Sequence, residues 1–425
     1  MTQEFVTSPT CPSNEVRVTG VMTMEVSNPS IAFVLELGRA LHSYGTPANR
    51  LEGALSMCAG LLGLESQFFS TPTSLFAAFG KLENQRTYLI RVQPGEVDLG
   101  KLVELDETVN ALEQGRIGVE DALTRVRFIV NAPPRYGPIT QTISFSVIGA
   151  GAACFFGGAW REMLTAGLIG IVVSLMLGLV AKRPNSARLF ETIIGMFAAL
   201  LAITSSWLLG PFSTQTATLA GIIILLPGLT LTVAMNELAT RDLVSGSARL
   251  IGAFMVLLAL GFGVAIGFEL GRFIPGTDAP LTYVSIPIWL ELIVLIASTI
   301  ALSVLFQAKP RDLLAMLLAA ALGLYGARLG AHLISPQLGA SLGAFLVAAM
   351  SNLFSRWTNR PAAVTLMPGI ILLVPGSLGF RSFASLLDQN ILSGVESAFN
   401  VVLVGVSIVV GLLLANVAVP VRKEL

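Results

Sequence analysis

From Pro138 onward the chain reads as a succession of apolar runs, each near the roughly 20 residues that a helix needs to cross a bilayer. They fall at about 139–159, 162–181, 190–210, 216–239, 247–270, 284–306, 312–332, 338–357, 361–381 and 396–419. Before Pro138 the pattern is different. Residues 1–28 mix Ser, Thr, Pro, Asn and Glu without periodicity, which predicts a disordered tail. Apolar residues then recur at helical spacing from Ile31 to Leu41. Gly45 ends that helix, and Thr46-Pro47 opens a second one, with Thr46 as N-cap, that runs to about Leu62. Alternating pieces at 66–70, 73–79 and 87–92, separated by turn residues, predict a small sheet. Two amphipathic helices follow at 99–114 and 119–130, and the linker Asn131-Ala-Pro-Pro-Arg-Tyr-Gly-Pro138 cannot continue a helix through its prolines.

The apolar part is written twice. Gly221-Ile-Ile-Ile-Leu-Leu-Pro227-Gly228 returns as Gly369-Ile-Ile-Leu-Leu-Val-Pro375-Gly376, and Ser245-Gly246 returns as Ser393-Gly394, both displaced by 148 positions. Gly195-Met-Phe197 and Gly343-Ala-Phe345 keep the same displacement, and so do the first five runs relative to the last five. An odd number of spans per copy makes the second copy enter the membrane from the opposite face, an inverted-topology pair. The distribution of cations agrees. Arg125, Arg127, Arg135, Lys182, Arg183, Arg188, Arg241, Arg249, Lys309, Arg311, Arg356, Arg360, Arg422 and Lys423 fall on one side, and Arg161, Arg272, Arg328 and Arg381 on the other. The expectation is an all-α polytopic membrane protein of about ten spans as an inverted five-plus-five repeat, behind an N-terminal cytoplasmic α+β domain. Its parts are residues 1–28, 29–138, 139–270 and 284–419.

Composition supports the membrane assignment: 54% of residues are hydrophobic and 12% charged, where a soluble chain carries about a quarter. Lys and Arg balance Asp and Glu and form no patch suited to nucleic acid. Cys11, Cys58 and Cys154 are odd in number and lack metal-site spacing, so neither a disulfide framework nor a metal is expected, and no cofactor is implied. The N-terminus has no apolar signal-peptide core and is expected to stay in the cytoplasm, and the cation distribution then predicts both termini there in a cell-membrane protein.

Candidate chemistry gathers at the repeated Pro-Gly pairs. A helix broken inside a membrane needs its freed backbone groups satisfied by protein or cavity water, and matching breaks in two halves point to a transport site. Thr230, Thr232, Asn236 and Glu237 follow Pro227-Gly228, and Ser377 follows Pro375-Gly376. Intramembrane polar groups of this kind tend to face a cavity. Half-helix N-termini there would hold a carboxylate and freed carbonyls an ammonium, which suits an amino acid. The alternatives are ordinary kinks at the prolines, threonines bonded to their own helix, and Glu237 as a solvated cap. Glu191, Glu269, Glu291, Glu396 and His332 sit at span ends, and Thr204-Ser205-Ser206 and Ser351-Asn352 one span before the breaks. His42, near Ser43 and Tyr44, belongs to no nucleophile motif, so a membrane-anchored enzyme is the weaker reading.

The motif Tyr44-Gly45-Thr46-Pro47-Ala48-Asn49-Arg50-Leu51-Glu52 resembles the Gly-x-Pro-x-x-Arg-x-Glu signature of the threonine/serine exporter family. Leu226-Pro227-Gly228, Asn236-Glu237-Leu238 and Ser245-Gly246-Ser247-Ala248-Arg249-Leu250 are similar to its first membrane block, and Leu373-Val374-Pro375-Gly376-Ser377-Leu378-Gly379 to its second. The resemblance covers about residues 30–420. It implies proton-coupled export of L-threonine and L-serine by a fused form of two halves that also occur as separate proteins; some split relatives are associated with dicarboxylates such as succinate. The implied partners are the bilayer, a small amino acid, protons and, in a homo-oligomer, a second copy. The transport pathway is expected at Pro227, Gly228, Thr230, Thr232, Asn236, Glu237, Ser245, Gly246, Pro375, Gly376, Ser377 and Ser393. Gly45, Pro47, Arg50 and Glu52 have two readings: a salt-bridged helix cap internal to the soluble domain, or a surface that docks this domain on the cytoplasmic mouth and gates it.

Overall fold

The computed structural model describes residues 28–93, 95–180, 189–274, 287–373, 376, 377, 379, 380, 382 and 391–420. The expected tail therefore lies outside the described residues except for Asn28, which begins the first helix. Asn28 Oδ1 accepts the Ser30 N–H at 2.9 Å and Pro29 takes the first helical position, so α1 runs Pro29–Ser43. Gly45, at φ +83°, makes the turn, and α2 runs Ala48–Leu61. Three strands, β1 Ser66–Thr71, β2 Ser74–Phe79 and β3 Arg86–Arg91, form an antiparallel sheet in sequence order, with Phe69 opposite Phe76 and Ala77 opposite Tyr88. Then come α3, Leu99–Glu113, capped by Asp98 through the Lys101 N–H at 2.8 Å, and α4, Val119–Asn131.

Helical spacing puts Phe33, Leu37, Leu41, Leu51, Leu55 and Leu105 on inward faces, where they pack with Leu75 of the sheet. The same core continues into Ala308, Met316 and Met367, so this N-terminal unit shares apolar surface with the helices behind it. Its polar edge rests on the segment 306–311. The Leu99 N–H donates to the Phe306 carbonyl at 2.9 Å, Tyr136 Oη to the Ala308 carbonyl at 3.1 Å, and Lys309 and Arg311 pair with Glu104 and Glu107 at 3.3 and 2.9 Å.

The remainder is helical: α5 Pro138–Phe155, α6 Trp160–Val180, α7 Phe190–Leu209, α8 Thr214–Gly221, α9 Gly228–Ala239, α10 Leu243–Gly271, α11 Ile288–Leu305, α12 Leu313–Leu333, α13 Gly339–Thr358, α14 Ala363–Ile371 and α15 Ile391–Ala418. Among the described residues, seven helices are long and apolar enough to cross a membrane, and an eighth span forms if α8 and α9 are taken as one bent element. The expected span at 338–357 exists as α13, but Ser351, Asn352 and Arg356 keep it outside the seven. Of the span expected at 361–381, α14 supplies only nine residues, and much of the stretch 374–390 lies outside the described residues.

The helices α5, α6, α7, α8 and α10 have counterparts near a displacement of 148 in α11, α12, α13, α14 and α15, the counterpart of α9 falling mostly outside the described residues, and one helix contact recurs with them. Gly263 of α10 lies against the backbone of Thr192 in α7; Gly411 of α15, displaced by 148, lies against the backbone of Ser341 in α13. A Cβ at either glycine would collide with that backbone, so each repeat uses a small residue at the same place for close helix approach. Lys309, Arg311 and Arg249 contact or adjoin the N-terminal unit, whereas Arg161 bonds the Pro211 carbonyl at 3.1 Å and Arg328 and Arg272 pair with Glu291 and Glu269.

Candidate functional site

Pro227 has no N–H to give, and the chain breaks there. The helix α8 ends at Gly221, a single 3-10 turn covers Ile223–Leu225, and α9 restarts at Gly228 with a bend of 53° across the pair. The Gly228 N–H turns back to the Leu226 carbonyl at 2.7 Å, and the Leu231 N–H closes the first turn of α9 on the Pro227 carbonyl at 2.9 Å. Pro375 lies outside the described residues, but its neighbour Gly376 rests on the first break. A Cβ at Gly376 would stand 3.1 Å from Cα and 3.3 Å from N of Gly228. The glycine of the second Pro-Gly pair thus packs on the glycine of the first.

This contact leaves no room for a branched side chain. Gly376→Val is expected to wedge the breaks apart at a cost of about 1–3 kcal/mol and to abolish transport while the protein still inserts. Parent-level uptake by liposomes carrying the variant would mean the contact is dispensable.

About two and a half turns further, α9 meets the N-terminal unit. Glu237, with 0% exposure, directs Oε1 to the Ala48 N–H at 3.0 Å, and Arg249 Nε of α10 lies 3.0 Å from Oε2 and 3.2 Å from Oε1. Ala48 is the first residue of α2, and the residue at its N-cap is Pro47, which makes no side-chain cap. The expected Thr46 cap is therefore replaced. Pro47 is extended at ψ 152°, so the helix begins one residue late, and its leading N–H is satisfied from 189 positions away by a carboxylate of the membrane part. Beside this cap, Ser245 Oγ donates to the Ser70 carbonyl at 2.7 Å, and the Ser70 N–H donates to Glu52 Oε1 at 2.6 Å. Gly246 lets α10 approach Ala234 and Leu238 of α9, which aims Ser245 at the sheet edge.

Glu52 titrates above the usual carboxylate range, chiefly because burial penalises its charge; the Ser70 N–H opposes this, and Asp242 and Glu237 add to it. The folded state thus favours protonated Glu52. Its contribution to stability is full below the ordinary carboxylate value of about 4.3 and is lost as pH rises through the higher folded value. Glu52→Gln should flatten that part of the pH dependence of thermal unfolding. An unchanged profile would place the charge elsewhere.

Between α2, α9, α13, α14 and α15 lies a cavity of about 130 Å³. Its polar lining is Thr46, Asn49, Arg50, Thr232, Asn236, Thr240, Asn352 and Asn416, and its apolar lining includes Leu229, Leu366, Met367, Ile370 and Leu412. Arg50 is its only charged lining residue among those described. Asn352 Nδ2 donates to Asn416 Oδ1 at 3.0 Å and to the Val419 carbonyl at 2.8 Å, which fixes both amides.

The expected site residues therefore divide. Gly45, Pro47, Arg50, Thr232 and Asn236 line the cavity; Glu237, Glu52 and Ser245 form the latch beside it; and Gly228 and Gly376 form the meeting of the breaks. Thr232 Oγ1 also bonds its own helix at the Gly228 carbonyl, 3.2 Å away. Thr230 and Ser377 are half-buried and do not line the cavity, and Ser393 sits in the first turn of α15, away from that lining. His332 is exposed, and His42 is buried with Nε2 donating to the Thr71 carbonyl at 2.7 Å, a core role. Cys58 and Cys154 are free and buried, and no acid, histidine and cysteine cluster among the described residues could hold a metal. Asn416 is the residue sequence reading missed. Its signal is a lone amide in an otherwise apolar run, costly in a bilayer unless it has a partner.

Two models of the threonine/serine exporter match the chain, one over residues 32–271 and the other, described as “Threonine/Serine exporter, ThrE”, over residues 291–418. The chain belongs to the threonine/serine exporter family. The boundary between the matches falls between α10 and α11, where the element order starts again. Among curated relatives, pheromone-regulated membrane protein 10 of Eremothecium gossypii is 28% identical over 384 residues, covering 87% of this chain and 50% of the relative. The protein of the same name from Kluyveromyces lactis is 27% identical over 378 residues, covering 86% of this chain and 39% of the relative. The chain thus spans half or less of the length of these relatives. No solved structure matches it significantly. As a family member with seven membrane-length helices among the described residues, it is a polytopic membrane protein of an exporter family.

Proposed function

We propose that this exporter carries small zwitterionic amino acids, L-threonine and L-serine, out of the cell in exchange for protons, through the cavity beside the broken helix. The observation that carries the substrate class is the cavity's lining: among the described residues, one guanidinium, Arg50, several amides and hydroxyls, and no carboxylate. Arg50 supplies the fork that matches a single carboxylate. Asn236, Asn352 and Asn416 offer amide oxygens to an ammonium and, with Thr232, partners for a side-chain hydroxyl. A dicarboxylate would require a second cation that this lining lacks, so succinate is the weaker candidate.

The membrane part works as an inverted five-plus-five repeat in the cell membrane with both termini in the cytoplasm, a reading supported by the recurring α7–α10 contact and the segregation of cations. The N-terminal unit closes the cytoplasmic mouth: Gly45 and Pro47 place the start of α2 over the cavity, and Glu237 holds it there. Proton coupling follows from the same contact. Neutralising Glu237 weakens its hold on Arg249 and the Ala48 N–H and lets the unit lift, so the acid that receives a proton also releases the plug.

Reconstituted full-length protein should take up labelled threonine in response to an imposed pH gradient, with serine competing and succinate not. Equal competition by succinate would overturn the substrate assignment, and gradient-independent, unsaturable flux would overturn the carrier.

A further inference from the structure

A second polar cleft lies outside the transport cavity, where the turn between α3 and α4 faces the end of α13. It has a volume of about 470 Å³, and Arg116, Arg125 and Arg360 line it together with Asn110, Asn359 and Glu107. The acids near these cations are already engaged. Glu107 pairs with Arg311 at 2.9 Å and lies 4.0 Å from Lys309, and the buried Asp312 pairs with Arg360. Arg116 and Arg125 have no acidic partner within salt-bridge distance among the described residues. Two uncompensated guanidinium groups thus converge on a cleft whose backbone is fixed by Asn359, a left-handed residue at φ 54° that ends α13.

Exposed aromatic residues beside the cleft point to what fills it. Trp357, 78% exposed, immediately precedes the cleft residue Thr358, and Phe128, 76% exposed, stands one turn after Arg125 on α4. Exposed aromatic side chains at the end of a membrane helix mark the headgroup level. Basic pockets at that level on the cytoplasmic side hold anionic lipid headgroups.

We propose that this cleft binds the phosphate of an anionic phospholipid of the cytoplasmic leaflet, with Arg116 and Arg125 as its ligands and Trp357 and Phe128 against the acyl boundary. The proposal rests on the cytoplasmic placement of the N-terminal unit but not on the transported substrate. A lipid seated there would tie the α3–α4 edge of the unit to the membrane at a point away from the Glu237 latch, leaving the latch free to open about that edge.

The test uses full-length protein in nanodiscs of phosphatidylcholine doped with phosphatidylglycerol, with bound lipid counted by native mass spectrometry after extraction. The parent should retain phosphatidylglycerol, and Arg116→Gln/Arg125→Gln should lower its retention about thirtyfold, as expected when two cations leave a headgroup site. A control, Arg86→Gln/Arg91→Gln, removes two exposed cations from β3 and should retain the lipid like the parent. Equal retention by the cleft variant and the parent would overturn the proposal, as would equal loss in the control. Inorganic phosphate protecting the detergent-solubilised parent against heat as well as the lipid does would overturn the lipid assignment in favour of a free phosphate ligand. Because the readout is bound lipid, a protein that failed to transport threonine would still pass or fail this test.

Discussion

Glu237→Ala should release the N-terminal unit from the membrane part. Its carboxylate is completely buried, lies against Arg249, whose side chain is only 14% exposed, and supplies the cap that α2 lacks locally. Removing one partner of a buried ion pair leaves the other charge uncompensated, a loss of about 3–5 kcal/mol. The buried Ala48 N–H, left without an acceptor at the start of α2, adds about 1 kcal/mol. The expected readouts are a lower unfolding temperature and faster proteolysis at the linker 131–138. Glu237→Gln separates the two roles, because the amide oxygen still accepts from Ala48 but no longer balances Arg249. That variant mimics the protonated acid, so it should be cleaved at the linker faster than the parent but more slowly than Glu237→Ala, and should lose efflux driven by a pH gradient. Normal gradient-driven efflux from Glu237→Gln would remove this acid from the coupling step.

Arg50→Ala should abolish threonine transport with the protein folded and inserted. A charge-assisted hydrogen bond to a carboxylate contributes about 1.5–3 kcal/mol, so its loss corresponds to a fall of roughly tenfold to over a hundredfold in transport efficiency. Arg50→Lys keeps the charge without the planar fork and should recover part of the activity at raised KM. The informative comparison is between transport and thermal stability. If Arg50→Ala instead destabilises the unit and transport falls only in proportion to the folded fraction, Arg50 is a cap residue of the soluble part and the cavity has no carboxylate anchor.

Local elements were legible because their signals are local. The alternation at 66–70, 73–79 and 87–92 falls on β1, β2 and β3 within two residues at each end, and the break at Pro227 follows from a missing N–H. The duplication was legible because 148 is constant along the chain, and Gly263 and Gly411 carry it into helix packing. The soluble motif was read as a folding signature with two meanings, and only the geometry separates its parts: Glu52 ties α2 to β1, whereas Arg50 faces the cavity. The Thr46 cap was misplaced because sequence supplies the nearest oxygen, while α2 takes a carboxylate from another part of the chain.

By itself, the sequence determined that this is a membrane protein with a repeated apolar pattern, a broken helix and an N-terminal stretch of different pattern, since apolar run length, proline chemistry and a constant displacement all act within one segment or between similar ones. The tertiary structure decided which polar groups work together. Ala48 with Glu237, Ser70 with Ser245, Asn352 with Asn416 and Gly228 with Gly376 are pairs without local sequence relationship. Each forms because a buried polar group or a close backbone approach must find its complement wherever folding brings one.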